Sequence, residues 1–186
     1  PTKEPTKEPT KEPTKEPTKE PTKEPTPVVP DEPENTNNRI PNNNTLVVID
    51  VQNTKFSSLV DDEPGKIGGG AICVDSNRIN ITVTGCTFEQ CKASNGGAIH
   101  VLFAKINESL IGNVVKSTFM NCEATNKGGA VDVNINQQRR FSFTFNQCTF
   151  TSNKAKIGGA ICATARDMLT LLNCKFEDNE ATTSGS

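Results

Sequence analysis

The chain has 186 residues and a formal net charge of −2, from 20 basic and 22 acidic side chains. It offers no basic face for nucleic acid and no apolar run of about eighteen residues to span a bilayer. One histidine removes most acid–base schemes, and without Trp or Tyr no large ring is free to stack on a sugar.

Residues 1–26 are PTKE written six times, then Pro25 and Thr26. A proline at every fourth position removes a backbone donor and clashes with the preceding turn, so a helix is excluded. Nothing apolar is present to bury. Residues 1–44 are therefore expected to be a disordered, partly polyproline II stalk or linker, its threonines open to O-glycosylation. Eleven of the 12 prolines stand at or before Pro41, and all 13 glycines at or after Gly65. That break places a folded domain over 45–186. The chain starts without Met, and ATTSGS stops where the next GGAI would fall, so a truncated fragment of a longer protein is expected. Any membrane association would then come from regions outside this chain.

The folded part repeats. Its aromatic marker recurs at Phe56, Phe88, Phe119, Phe150 and Phe176, at spacings of 32, 31, 31 and 26 residues. Counting back five, seven and nine positions gives Val51, Ile49, Val47 in the first repeat, Val83, Ile81, Ile79 in the second, and Phe145, Phe143, Phe141 in the fourth. Period-two apolar runs at one offset predict a strand with one buried face. The third repeat (Val114, Gly112, Leu110) and the fifth (Leu171, Leu169, Asp167) keep the outline. The Phe motif is a further strand, with Thr54, Cys86, Ser117, Cys148 and Cys174 sharing its inward face. Three residues after Phe comes Cys91, Cys122, Asn153 or Asn179 as a corner, and Ala93, Ala124, Ala155 or Ala181 keeps it narrow. Glycine pairs (Gly69-Gly70, Gly96-Gly97, Gly128-Gly129, Gly158-Gly159) allow the tight bend into another strand. That strand alternates Ile72/Val74, Ile99/Val101, Val131/Val133 and Ile161/Ala163, so Cys73, His100, Asp132 and Cys162 are expected to point outward.

Three short strands per ~30-residue unit and no helical pattern predict an all-β parallel solenoid of about 4–5 coils, with like residues stacked at ~4.8 Å. Asn in a column can pass amide hydrogen bonds between coils, and a thiol fills the same space.

GGAI at 69–72, 96–99 and 158–161, GGAV at 128–131, and F-x-x-N at Phe150–Asn153 and Phe176–Asn179 resemble the paired motifs of polymorphic outer membrane protein repeats. Cys91 and Cys122 take the Asn place of that pattern. The resemblance implies a right-handed parallel β-helix of the pectate-lyase-like kind, displayed at the cell surface, in the outer membrane or outside the cell. It also implies use in adhesion, with a protein or glycan on another cell or matrix as partner.

The column Cys73, His100, Asp132, Cys162 holds four metal-ligand types, but its ends would lie about 14 Å apart at rung spacing, whereas a tetrahedral site needs its ligands within ~2.0–2.3 Å of one ion, so no metal site is expected there. No metal or cofactor is expected. Cys148–Cys174 and Cys91–Cys122 would be neighbours in adjacent coils, either as a disulfide or as packed thiols. A polysaccharide lyase or glycosidase on this fold would need facing carboxylates. Asp75, Asp132 and Asp167 do not cluster, so no enzyme is expected. Binding would instead use a strand face and the insertions 102–113 and 134–140. Sequons at Asn43, Asn80 and Asn107 are glycosylation candidates of a secretory route, and Asn80 is expected to be exposed. The Arg139–Arg140 pair reads as a solvated edge.

Overall fold

The structure is a computed structural model that describes residues 46–61, 68–76, 78–103, 110–135, 141–164 and 168–185. The stalk expected over 1–44 lies outside them, as do Arg139, Arg140 and Asp167. The described residues form strands and turns, with no helix among them, and hence no helix long and apolar enough to cross a membrane.

The first coil supplies β1 (Val47–Gln52), β2 (Lys55–Ser57), β3 (Val60–Asp61) and β4 (Ile72–Asp75). The second supplies β5 (Ile79–Thr84), β6 (Thr87–Glu89), β7 (Lys92–Asn95) and β8 (Ile99–Phe103). The third supplies β9 (Leu110–Val115), β10 (Thr118–Met120), β11 (Glu123–Lys127) and β12 (Val131–Ile135). The fourth supplies β13 (Phe141–Asn146), β14 (Thr149–Thr151), β15 (Lys154–Ile157) and β16 (Ile161–Thr164). After it come β17 (Met168–Leu172), β18 (Lys175–Glu177) and β19 (Glu180–Ser184). Like strands pair in parallel, giving three five-stranded sheets and one four-stranded sheet: a parallel β-solenoid.

Each coil thus has four strands where the residue pattern predicts three. The overlooked one is the sheet β3-β7-β11-β15-β19. Its three middle members bury one alanine each, at Ala93, Ala124 and Ala155, too little to show an apolar period. The alanines read as corner residues belong to these strands. The presumed insertions shrink in the same way. Leu102 and Phe103 end β8, Leu110–Asn113 belong to β9, and Asn134 and Ile135 end β12. Only 104–109 and 136–140 remain, and they lie outside the described residues.

The core is a set of columns. Phe56, Phe88, Phe119, Phe150 and Phe176 stack with neighbouring ring centroids 4.7–4.9 Å apart and planes within 7° of parallel. Isolated rings prefer an offset. Here the strand spacing sets the stack, and each buried ring removes its faces from water. In the first sheet Ile81, Gly112 and Phe143 stand in register. A Cβ at Gly112 would run into the Phe143 ring, so the residue that breaks the third repeat's alternation makes room for the largest side chain of the fourth.

Corners recur at fixed positions in the left-handed region. One is Asn53, Gly85, Lys116, Gln147 and Asn173; another is Ser58, Gln90, Asn121, Ser152 and Asp178; a third is Gly96, Gly128 and Gly158. At the third, the second glycine is needed for space as well. A Cβ on Gly129 would meet the Gly159 carbonyl and come within 2.6 Å of the Lys154 nitrogen.

Candidate functional site

Two ladders line the corners. In the first, the residue three after each Phe reaches back to the Phe carbonyl of the preceding coil. Asn153 Nδ2 donates to Phe119 O at 3.1 Å and Asn179 Nδ2 to Phe150 O at 2.9 Å. Cys91 and Cys122 place their thiols 3.9 and 3.7 Å from Phe56 O and Phe88 O. The amides do more, since Cys122 N–H donates to Asn153 Oδ1 and Asn153 N–H to Asn179 Oδ1, both at 3.0 Å. Cys and Asn are thus exchangeable in this column because both hold the same carbonyl. The second ladder is Cys86, Ser117, Cys148 and Cys174. Ser117 Oγ accepts from Cys86 N–H at 3.1 Å and donates to Val115 O at 3.0 Å.

All seven cysteines lie among the described residues and carry thiols rather than disulfides. The Cys91 sulphur beside it, and then burial, push the Cys122 thiol up. Burial, opposed by the Ser117 backbone and reinforced by the Cys174 sulphur, pushes the Cys148 thiol up to about 11. Both are small core fillers at neutral pH, and neither is poised as a nucleophile.

The column Cys73, His100, Asp132, Cys162 departs from expectation. It runs in register through β4, β8, β12 and β16. Alternation with Ile99 and Val101 turns its side chains away from the Phe core, yet all four are buried, His100 at 1% and Asp132 at 0% exposure. The corner glycines cause part of this. A Cβ at Gly69 would stand 3.1 Å from His100 Cβ, and one at Gly158 3.0 Å from Cys162 Cβ, so the bend lies against the column. His100 Nδ1 is 3.0 Å from Asp132 Oδ2. The two are not aligned as a hydrogen bond, and both imidazole nitrogens and both carboxylate oxygens lack a hydrogen-bond partner. Burial and then the Asp132 carboxylate push the Cys162 thiol up, while Lys127 pulls it down. Sequence alternation reads this column as exposed; the folded chain closes over it.

The surface is polar and regularly spaced. Lys92 and Glu123 pair at 2.8 Å, and Lys154 and Glu180 at 2.9 Å, along one edge of stacked strands. Thr87, Thr118 and Thr149 stand in register on the sheet beside it. Asn80 sits half-buried within β5 rather than exposed, between Val48 and Ile111, because the neighbouring coils shield a strand residue on both sides. Asn43 and Asn107 lie outside the described residues. At the last coil Leu171, Leu172 and Phe176 are exposed, and a cavity of about 420 Å³ is lined by Leu169, Leu171, Phe176 and Cys162 among others.

These features define a repeat-built parallel β-solenoid whose ladders are structural. Residues 147–164, running from the fourth Phe motif into the GGAI strand, match the Chlamydia polymorphic membrane protein repeat, and residues 1–35 match the PT disordered repeat. No curated protein and no solved structure matches the chain.

Proposed function

We propose that this chain is a non-catalytic surface or secreted protein of adhesin type, whose outer strand faces bind a protein or glycan on another cell or matrix. The reading is carried by the match of 147–164 to a polymorphic membrane protein repeat, set in a solenoid with its polar residues on regular outer columns. Its chemistry-bearing column supports the same reading. A polymer lying on the surface could not touch His100 or Asp132, which are sealed from solvent. A rigid edge with alternating charge at ~4.8 Å steps suits recognition of an extended, repetitive ligand.

The test is saturable binding of the recombinant chain to cells, matrix proteins and a glycan array. Lys92→Glu combined with Lys154→Glu reverses two charges on the paired edge and is expected to weaken binding without altering the circular dichroism spectrum. Release of unsaturated or reducing-end sugars from a polysaccharide panel would instead make the chain an enzyme. Neither binding nor turnover would make it a structural spacer.

A further inference from the structure

The buried pair of His100 and Asp132 presents a problem of polar satisfaction that neither the fold nor adhesion resolves. A carboxylate and an imidazole have been removed from water, and their four polar atoms have no hydrogen-bond partner. Leaving such groups unsatisfied costs their full desolvation penalty, and native interiors rarely accept this without an ion or water. The separation is informative. Two ligands on a tetrahedral zinc-class ion, with N and O bonds of ~2.0–2.1 Å, stand roughly 3.3 Å apart. His100 Nδ1 and Asp132 Oδ2 stand 3.0 Å apart without pointing at each other. The distance alone would allow a hydrogen bond; it is the orientation, which leaves both groups without one, that leaves room for a shared third atom.

We propose that His100, Asp132 and Cys162 form a binding site for one divalent zinc-class cation, held at the level of Asp132 with a fourth position open. The full four-residue column is too long for one ion, but three consecutive rungs are not. With the ion beside Asp132, His100 and Cys162 each lie one spacing of ~4.8 Å away, within reach of an imidazole and a thiolate. Cys73 lies two spacings away and cannot take part. Cys162 is the register partner of Asp132 on the next rung. Among the described residues no three such side chains converge on one point, so the proposal requires the Cys162 side chain to rearrange towards Asp132 on binding.

Asp132 carboxylate, Cys162 thiolate and neutral His100 cancel a dication, converting unpaired buried polar atoms into a neutral cluster. Binding releases the Cys162 proton to solvent as the Zn–S bond forms. The mixed N, O and S set suits zinc better than calcium or magnesium. Cys162 also lines the cavity at the last coil, so of the three ligands it stands nearest that opening. The ion would tie the second, third and fourth coils together.

The test uses the whole reduced chain, stripped with a chelator and titrated with Co²⁺ and then Zn²⁺. The expected result is one equivalent bound, a thiolate-to-cobalt charge-transfer band, proton release, and a rise in Tm with Zn²⁺. Cys162→Ser should abolish the band. His100→Gln and Asp132→Asn should weaken binding by more than the ~10–100-fold that loss of an outer-shell partner causes. Cys73→Ser and Cys122→Ser should change neither. A band that survives Cys162→Ser, or affinity unchanged in Asp132→Asn, overturns the site. Should those variants fail to fold, X-ray absorption on the wild-type Zn²⁺ complex decides. One sulphur with nitrogen or oxygen ligands supports the site; no sulphur, two or more, or no stoichiometric complex refutes it.

Discussion

Replacing Asn153 with alanine isolates what the corner ladder contributes. Asn153 is fully buried. Its Nδ2 donates to Phe119 O at 3.1 Å and to Asn179 Oδ1 at 2.9 Å, and its Oδ1 accepts from Cys122 N–H at 3.0 Å. Alanine leaves the Phe119 carbonyl and the Cys122 N–H without these partners. At about 1–3 kcal/mol for each of the two orphaned buried groups, the variant should lose roughly 2–6 kcal/mol. Asn179 is half-buried, so water can replace what it loses. Asn153→Cys should cost less, about 1–3 kcal/mol. Its thiol can face Phe119 O as Cys122 faces Phe88 O, and only the Cys122 N–H is abandoned. Equilibrium urea unfolding followed by far-ultraviolet circular dichroism gives the order wild type, Cys, Ala. An alanine variant within about 0.5 kcal/mol of wild type, as for an ordinary surface substitution, would refute the ladder. So would a cysteine variant less stable than the alanine.

Gly129→Ala places a methyl against the Gly159 carbonyl and the Lys154 nitrogen; a loss of about 2–3 kcal/mol or more is expected in the same unfolding assay. The raised Cys148 thiol links stability to alkaline pH. The folded chain holds this proton up to about 11 while the unfolded thiol gives it up near 9.0. Its stabilising contribution is therefore complete below pH 9 and falls as pH rises from 9 towards 11. Urea midpoints across that range should drop more for wild type than for Cys148→Ala. Glu123 holds the exposed Lys92 ammonium, whose pKa it raises, yet solvent screens such pairs. Glu123→Gln should leave the urea midpoint unchanged within error, while binding through that edge responds.

The Phe column, the apolar alternation of the first sheet and the glycine bends are legible because each is a side-chain pattern repeated at one offset. The third sheet is hidden because strands such as Lys92–Asn95 and Lys154–Ile157 bury one alanine each while their other residues, Ile157 included, are exposed or half-buried. The left-handed corners at Lys116 and Gln147 leave no trace in residue type. Nothing in lysine or glutamine asks for positive φ, and the stacked strands on either side impose it. The closure over His100 and Asp132 escapes for a related reason. Alternation tells which way a side chain leaves the strand, not whether a bending backbone then covers it.

The most direct test of the stacked architecture is a distance measured along its axis. Lys55, Thr87, Thr118, Thr149 and Lys175 stand in register on one sheet, so four spacings of ~4.8 Å put the Lys55 and Lys175 Cα atoms about 19 Å apart. Both are exposed and suited to spin labels on Lys55→Cys and Lys175→Cys, in a chain whose native thiols are masked. Dipolar spectroscopy should return one narrow distribution near that value, widened only by the label linkers. A broad distribution, or a mean tens of ångströms longer, would contradict the solenoid.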